Sequence, residues 1–313
     1  MPTIDEKRVY TDTAGTETVY LASGLGVVAV SVSDDLIGEF GIAQRCRARD
    51  VATSGALVAV ATDEDVLVAD RRAPSGGDSA AAGRVDAPAF KSTDFGPASA
   101  VGFDEGALLA GDDGGRLGRC AEPAAVASAG ETGGEPTDGS AGESTDGSAG
   151  ESADEPEATW TDVGTTGGVR AIDGGLVAAA DGVYRVSERS VTHAGLDDAR
   201  DVDAEPLVAT GTGLYKLGNG WMDVLPGPVD AVDAAGGRAH AVSEGTLYAR
   251  DPAAGADDAW HAEALPVDTD VVAVTHGAAS SYAVTADGTL AVRTSDEWRY
   301  RGLGVTDVTA AAV

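Results

Sequence analysis

Lysine is almost missing from this sequence, since only Lys7, Lys91 and Lys216 occur among 313 residues. The 21 basic residues are therefore nearly all arginine, and 52 acidic residues bring the formal net charge to −31. In dilute buffer that charge would push a compact chain apart, whereas molar salt shortens the screening length to about 3 Å. The composition therefore predicts a protein of a salt-filled cytoplasm.

Clustered positive charge and long apolar runs are also missing. No basic run is longer than Arg71-Arg72, which argues against a nucleic-acid partner, because phosphate binding needs clustered basic side chains. No apolar run reaches the length of about 18 residues that a membrane helix needs, and Met1–Arg8 contains no apolar secretion signal. We therefore expect a soluble, intracellular protein without a membrane partner. Its 43% apolar content, arranged in short β-like runs, argues against a disordered chain.

Cysteine and histidine are too few for a cross-linked or metal-bound fold. Cys46 and Cys120 cannot make a disulfide framework and have no CxxC spacing, so reduced thiols are expected. The histidines occupy different positions in the repeats described below, which predicts surface or packed side chains: His193, His240, His261 and His276. The sequence also contains no recognisable pattern of a nucleophile with a general base, so it predicts no catalytic residue, no metal and no cofactor.

What the sequence does contain is a repeat of about 30 residues. Its clearest copy, residues 199–227, reads as four short strands, a to d, each bounded by Gly, Pro, Asn or Asp. Glycine supplies the positive φ of the tight b-to-c turn, as in Asp181-Gly182 and Asp287-Gly288. Strand a occurs seven times: Ala48–Thr53, Ala98–Phe103, Gly168–Asp173, Ala199–Ala204, Val229–Ala234, Asp270–Thr275 and Val305–Ala312.

Seven such meanders predict an all-β fold, a seven-bladed β-propeller of four-stranded antiparallel blades, because radial stacking buries both faces of each blade. The chain begins with strands b, c and d and ends on an unattached strand a, Val305–Ala312. We therefore expect the C-terminal strand to pair with the N-terminal blade. Arg8–Thr13 is left over, and could instead be an inner strand that displaces the C-terminal one or an added outer strand. A monomer is expected.

Two long insertions fall between strands c and d, at Arg71 to Ala89 and at Glu122 to Ala158. The second contains a direct duplication over residues 137–152, and its Gly, Ser and Glu content cannot offset the entropy of ordering. We therefore predict that 122–158 is a disordered insert within one blade. It is not a domain linker, because Thr159–Val163 resumes the blade, so residues 1–313 are predicted to form a single propeller domain.

All four tryptophans fall at the start of strand d: Trp160, Trp221, Trp260 and Trp298. An aromatic cage around a ligand would need these rings to converge on one point. The same position in successive blades instead places them far apart around the ring. The pattern therefore favours packing between neighbouring blades over a binding cage.

The strings Leu207–Leu217 and Leu176–Val186 resemble the repeat of sialidase-type propellers. Only fragments of the Asp-box of those proteins occur, as in Ser295–Trp298 and Asn219–Trp221, so the resemblance implies no sialidase activity. Over its whole length, including Glu6–Tyr10, Leu21–Val28 and Arg49–Val51, the chain is similar to an uncharacterised haloarchaeal β-propeller family. That resemblance implies the fold and the source and leaves the function open.

Charged side chains mark the entry to strand a, where a propeller channel opens. The candidate site residues are Arg49, Asp50, Arg170, Arg200, Asp201, Asp230, Asp270 and Asp307. Arginine or Asp230 occupies one register position, and Asp50, Asp201 and Asp307 occupy the next, so two facing rings could result. The guanidiniums could grip a small polar or anionic ligand, but Arg–Asp pairs between blades are the favoured interpretation.

Two functional classes remain open. The favoured one is a non-catalytic binding or interaction module, which is either a scaffold for an unknown protein or a binder of a small polar or anionic molecule at the channel mouth. The alternative is a hydrolase or lyase of the sialidase-like propeller type, with a site assembled from several blades. Fold alone cannot separate these classes, because propellers host both.

Overall fold

Seven four-stranded antiparallel sheets make up the computed structural model, which describes residues 15–73, 87–128, 157–251, 259–294 and 297–313. The predicted seven-bladed β-propeller is confirmed. We number the blades in chain order from the N-terminal one. The innermost strands of blades 1 to 7 are β28 (Val308–Ala312), β4 (Ala48–Ser54), β8 (Ala100–Asp104), β12 (Val169–Asp173), β16 (Ala199–Asp203), β20 (Ala231–Ala235) and β24 (Val271–His276).

The other three positions of each blade follow the same order. The second strands are β1 (Thr16–Ser23), β5 (Leu57–Thr62), β9 (Ala107–Gly111), β13 (Leu176–Ala179), β17 (Leu207–Thr210), β21 (Arg238–Ser243) and β25 (Ser281–Thr285). The third strands are β2 (Gly26–Ser33), β6 (Val66–Asp70), β10 (Arg116–Cys120), β14 (Gly182–Val186), β18 (Gly213–Leu217), β22 (Thr246–Arg250) and β26 (Thr289–Arg293). The outer strands are β3 (Leu36–Gln44), β7 (Lys91–Ser92), β11 (Trp160–Thr165), β15 (Val191–Gly195), β19 (Trp221–Pro226), β23 (Trp260–Ala262) and β27 (Arg299–Gly302).

Burial explains the composition of the strands. Second strands are continuous runs of buried small or aliphatic residues, as in β9 and β13, because a neighbouring blade covers each of their faces. Outer strands such as β27 are exposed. The blades approach so closely near the axis that a Cβ on Gly102 would lie 2.2 Å from the carbonyl oxygen of Ile172 in the next blade. Only glycine fits there.

The C-terminal strand closes the ring. β28 pairs antiparallel with β1, with Leu21 opposite Ala311, which confirms the predicted closure. A second contact ties blade 1 to blade 7, because the Glu17 carboxylate accepts hydrogen bonds from the Ala278 amide and the Tyr282 hydroxyl, both at 2.7 Å. The leftover segment Arg8–Thr13 lies outside the described residues.

The start of the second insertion is ordered, so the predicted disorder over 122–158 is wrong for its first residues. Pro123–Ala127 form a short helix, α1, in which Val126 and Ala127 are buried against Val68 of blade 2. These apolar side chains stabilise the turn by leaving water. Residues 129–156, including the duplication, lie outside the described residues, as do residues 74–86 of the first insertion. No helix in the described part of the chain is long and apolar enough to cross a membrane.

Candidate ligand-binding site

The inner strands enclose a central cavity of about 410 Å³. Each inner strand carries the recurring valine or isoleucine of the repeat. Six of the predicted site residues line this cavity: Arg49, Asp50, Arg170, Arg200, Asp201 and Asp230. The structure therefore brings together most of the residues singled out in the sequence.

The three predicted arginines make ion pairs between neighbouring blades. Arg49 donates to both carboxylate oxygens of Asp113, at 2.7 and 2.9 Å. Asp113 lies in the β9–β10 turn of the next blade. Arg170 Nη1 lies 2.6 Å from Asp198 Oδ1, at the entry to blade 5. Arg200 Nη1 lies 2.6 Å from Asp230 Oδ1, at the entry to blade 6. This geometry is the Arg–Asp pairing that the sequence favoured.

These pairs leave charged atoms in contact with solvent. The arginine side chains are 32–39% exposed and their aspartate partners are 47–70% exposed. The pKa of Asp113 and Asp198 is held below its usual range, mainly by hydrogen bonds from Arg49 and Arg170. The guanidiniums are thus partly accessible from the mouth.

Asp50 and Asp201 hold neighbouring inner strands together. One oxygen of Asp50 accepts the Val51 amide of its own strand at 2.8 Å, and the other accepts the Val101 amide of the next blade at 2.9 Å. Asp201 accepts the Val202 and Val232 amides in the same way, at 2.9 and 2.8 Å. Burial raises the pKa of Asp50 to about 7 and that of Asp201 to about 8, against the pull of these donors.

A deeper layer of carboxyl groups was missed by the sequence reasoning. Asp173, Asp203 and Asp233 directly follow the recurring isoleucine or valine in blades 4, 5 and 6. Asp173 accepts the Ala204 amide and Asp203 accepts the Ala234 amide, both at 2.8 Å. Like Asp50 and Asp201, each therefore joins its blade to the next one, and we call such a contact an aspartate clasp. Burial raises the pKa of Asp203 to about 7 and that of Asp233 to about 8. The repeated Ile-Asp or Val-Asp pair was the available signal.

Asp270 and Asp307 do not line the central cavity. Asp270 precedes β24, and its side chain lies against Gly245 in a cavity of about 220 Å³ beside the b-to-c turn of blade 6. Asp307 adopts a left-handed backbone conformation with φ of 56°, and its side chain lies by Gly24 at the rim. The second ring expected from Asp50, Asp201 and Asp307 is therefore incomplete.

The rim forms a third cavity of about 650 Å³. Its charged lining consists of Arg47, Arg49, Arg170, Asp113 and Asp307. Arg49 and Arg170 also line the central cavity, so their guanidiniums lie where the rim and the channel meet. We call Arg49, Arg170 and Arg200 together the arginine mouth.

Two of the four histidines converge, which the sequence reasoning did not foresee. His240 and His276 are both buried at their ring atoms, with Nδ1 of His240 2.7 Å from Nε2 of His276. His193 instead packs edge-on against Tyr184. Among the described residues no group of three or more His, Cys, Asp or Glu side chains could hold a metal ion.

The tryptophans support the packing interpretation. Trp160 Nε1 donates to the Thr93 carbonyl at 2.9 Å, across the boundary between blades 3 and 2. Trp221 Nε1 donates to the Ala194 carbonyl at 2.8 Å, across the boundary between blades 5 and 4. Trp298 likewise donates to Glu263 of the preceding blade at 2.9 Å. Each of these indoles joins its blade to the one before it.

Comparison with known proteins places the chain in a family. The model of the HVO_0234-like β-propeller family matches residues 3–313. The chain belongs to that family. No curated protein matched the sequence of this HVO_0234-like propeller.

Solved structures share its fold at low identity. The WD40 β-propeller domain of Doa1 is 14% identical, with a TM-score of 0.52 over 82% of each chain. YCF48 bound to D1 peptide is 9% identical, with a TM-score of 0.51 over 91% of this chain and 85% of that one. AztD from Citrobacter koseri is 15% identical, with a TM-score of 0.50 over 94% and 82%.

Proposed function

We propose that this HVO_0234-like propeller is a non-catalytic binding module whose arginine mouth holds an anionic group of a small ligand or of a partner protein. The observation that carries the proposal is that three blades present Arg49, Arg170 and Arg200 at one end of the channel, each side chain about one-third exposed. Planar guanidiniums bind carboxylate and phosphate oxygens in pairs, which gives both strength and orientation.

The present partners of these arginines can be exchanged. Asp113, Asp198 and Asp230 are more exposed than the arginines they pair with. An exposed ion pair contributes roughly 0–1 kcal/mol, so an incoming carboxylate can replace an aspartate at small cost. Arg49, Arg170 and Arg200 are the arginines that line the central cavity, so an anion stays at the mouth, where they lie.

The carboxyl groups with raised pKa could suggest acid–base catalysis instead. Burial accounts for the raised pKa of Asp50 and Asp201, and their structural role explains their presence, because each carboxyl group accepts two main-chain amides and joins two blades. The fold likeness is consistent with binding, since YCF48 was solved with a bound D1 peptide. We further propose, on the strength of the −31 charge, that the protein works in a salt-filled cytoplasm. We also propose that it is a monomer of one domain, since the seven blades close a single ring.

The experiment is a titration in molar KCl with inorganic phosphate, citrate and a glutamate-rich peptide, monitored by calorimetry. We expect binding to weaken about tenfold or more in Arg170→Gln, because a charged hydrogen bond is worth about 1.5–3 kcal/mol. Arg189→Gln, on an exposed turn of blade 4, is the matched control.

Binding by none of these probes, or equal binding by both variants, would refute the arginine mouth. Product release from chromogenic glycosides would instead support the hydrolase alternative.

A further inference from the structure

A chain of four hydrogen-bonded side chains runs from the central cavity into the space between blades 6 and 7. Asp233 lies on β20, His276 ends β24, His240 lies on β21, and Glu263 directly follows β23. The distances along the chain are 2.5 Å from Asp233 Oδ2 to His276 Nδ1, 2.7 Å from His276 Nε2 to His240 Nδ1, and 3.2 Å from His240 Nε2 to Glu263 Oε2.

Both histidines are bonded through opposite ring nitrogens. A proton that arrives at one nitrogen of an imidazole can therefore be matched by a proton that leaves the other. The ring side chains are 1% exposed for His276 and 3% exposed for His240, so water does not compete for these bonds. The path is continuous across both rings.

Both ends of the path reach open space. The Asp233 side chain is 32% exposed and lines the central cavity. The Glu263 side chain is 14% exposed and lines the separate 220 Å³ cavity beside Gly245 and Asp270. The chain thus connects two cavities that protein otherwise divides.

We propose that Asp233, His276, His240 and Glu263 form a proton relay that joins the central cavity to the cavity between blades 6 and 7. The protons of the chain can be arranged in two orders. In the first order Asp233 carries a proton and donates to His276 Nδ1, His276 Nε2–H donates to His240 Nδ1, and His240 Nε2–H donates to ionised Glu263. In the second order each of these three protons has moved along its own hydrogen bond. Asp233 is then ionised and Glu263 is protonated, so one proton equivalent has crossed and the total charge is unchanged.

The surrounding charges favour the first order. Asp233 faces Asp173 on β12, Asp203 on β16 and Glu205 after it, while Arg238 on β21 opposes them only in part. Burial and these carboxylates raise the pKa of Asp233 to about 8. Glu263 instead accepts hydrogen bonds from Arg293 and Trp298, and its pKa is lowered despite its burial.

The imidazoles themselves resist charging. Burial lowers the pKa of His276 to about 3, and Arg238, Arg250 and Arg293 oppose a positive charge there more than Glu205 favours one. Burial also lowers the pKa of His240, beside His276 and Arg293. When the chain loses one proton, the Asp233 proton moves to His276 Nδ1, the His276 Nε2 proton moves to His240 Nδ1, and the His240 Nε2 proton leaves to solvent by way of Glu263. Asp233 and Glu263 are then both ionised, and no imidazolium forms. His240 Nε2 is then left as an acceptor, with Arg293 Nη2 at 3.4 Å as its donor.

The test is nitrogen NMR of ¹⁵N-histidine-labelled protein in molar KCl, because the ring shifts report which nitrogen carries the proton. From pH 5 to about pH 8 we expect both buried rings in the Nε2–H form. Above about pH 8, where Asp233 loses its proton, we expect both rings to change together to the Nδ1–H form. Separate transitions, an imidazolium signal above pH 5 or a fixed tautomer through pH 10 would overturn the proposal.

Variants distinguish a relay from static packing. Asp233→Asn should hold both rings as Nε2–H at every pH, because an amide N–H donates permanently to His276 Nδ1. Asp203→Asn is the matched control, since it removes a neighbouring carboxyl group that accepts main-chain amides and bonds no histidine, and the joint change should persist. Glu263→Gln should move the change to lower pH, because the amide can donate to His240 Nε2.

A joint change that survives in Asp233→Asn would overturn the relay. Should that variant not fold, the wild-type titration and the direction of the Glu263→Gln shift decide the question. Neither readout depends on an anion at the arginine mouth.

Discussion

Single aspartates join neighbouring blades of this propeller by accepting main-chain amides across the boundaries between blades 2 and 3, 4 and 5, and 5 and 6. Asp201 is the clearest case, because its two oxygens accept amides from β16 and from β20. A carboxyl group in this position replaces the ladder hydrogen bonds that separate sheets cannot make with each other. The device requires burial, and burial ties the stability of the fold to pH.

The aspartate clasps predict how stability varies with pH. A folded-state pKa of about 8 for Asp201, above the usual value near 4 in the unfolded chain, means that the folded state binds more protons between these values. The free energy of unfolding in molar KCl should therefore fall as pH rises from about 4 to about 8. Urea titrations at a series of pH values should show that the free energy of unfolding falls less steeply with pH in Asp201→Asn than in the intact protein. An identical pH dependence in the two proteins would contradict the raised pKa of Asp201.

The indole hydrogen bonds allow a matched comparison. Trp221→Phe removes the N–H that reaches the Ala194 carbonyl and should lower the free energy of unfolding by about 1 kcal/mol. Trp260 is the control, because its buried Nε1 has no hydrogen-bond partner among the described residues. Trp260→Phe should leave stability unchanged or raise it. Equal losses in both variants, measured by denaturant titration, would show that ring packing alone matters.

Residue identities predicted from sequence differ in how well they fared. The register of strand a brought Arg49, Arg170 and Arg200 together correctly, because the same repeat position faces the channel in blades 2, 4 and 5. Asp307 failed, since its left-handed backbone turns the side chain to the rim. His240 and His276 could not be paired from sequence, because they occupy different strands of different blades and meet only through packing.

At the scale of elements, the two insertions show where repeat reasoning reaches its limit. The repeat correctly placed the second insertion between strands c and d, because β10 and β11 remain paired across it. It did not foresee α1, since a single turn of helix depends on Val68 of another blade for its burial. Low-complexity composition therefore identifies an insertion but does not show at which residue the ordered structure ends.

Two nested deletions test the boundary. Replacing residues 129–157 with a short Gly-containing turn retains α1 and should leave the melting temperature within about 2 °C of the intact protein. Replacing 122–158 also removes Val126 and Ala127 from their site against Val68 and should lose roughly 2 kcal/mol or more. Calorimetry of both proteins measures the difference, and equal melting temperatures would show that α1 adds nothing.

At the scale of the whole molecule, charge and closure act on all blades together. With a net charge of −31, mutual repulsion opposes the compact state at every point of the surface. The melting temperature should therefore rise from low to molar KCl, as scanning calorimetry can show. A flat or falling series would contradict adaptation to high salt.

Ring closure predicts a large effect of a short truncation. Removing residues after Gly304 deletes β28 and exposes the edge of β1, together with the apolar face that packs on Val308 and Ala311. The loss should reach several kcal/mol or cause aggregation, as thermal melts and size-exclusion chromatography would reveal. The truncated protein melting within about 2 °C of the intact one would refute closure by β28.

The pairing of β28 with β1 also has a consequence for biosynthesis. Blades 2 to 7 are each continuous in sequence, so each can form as soon as its own residues leave the ribosome. Blade 1 waits with an open edge while nearly all of the remaining chain is translated. The nascent protein is therefore vulnerable to mispairing at β1, and a chaperone that shields β1 during translation would raise its folding yield.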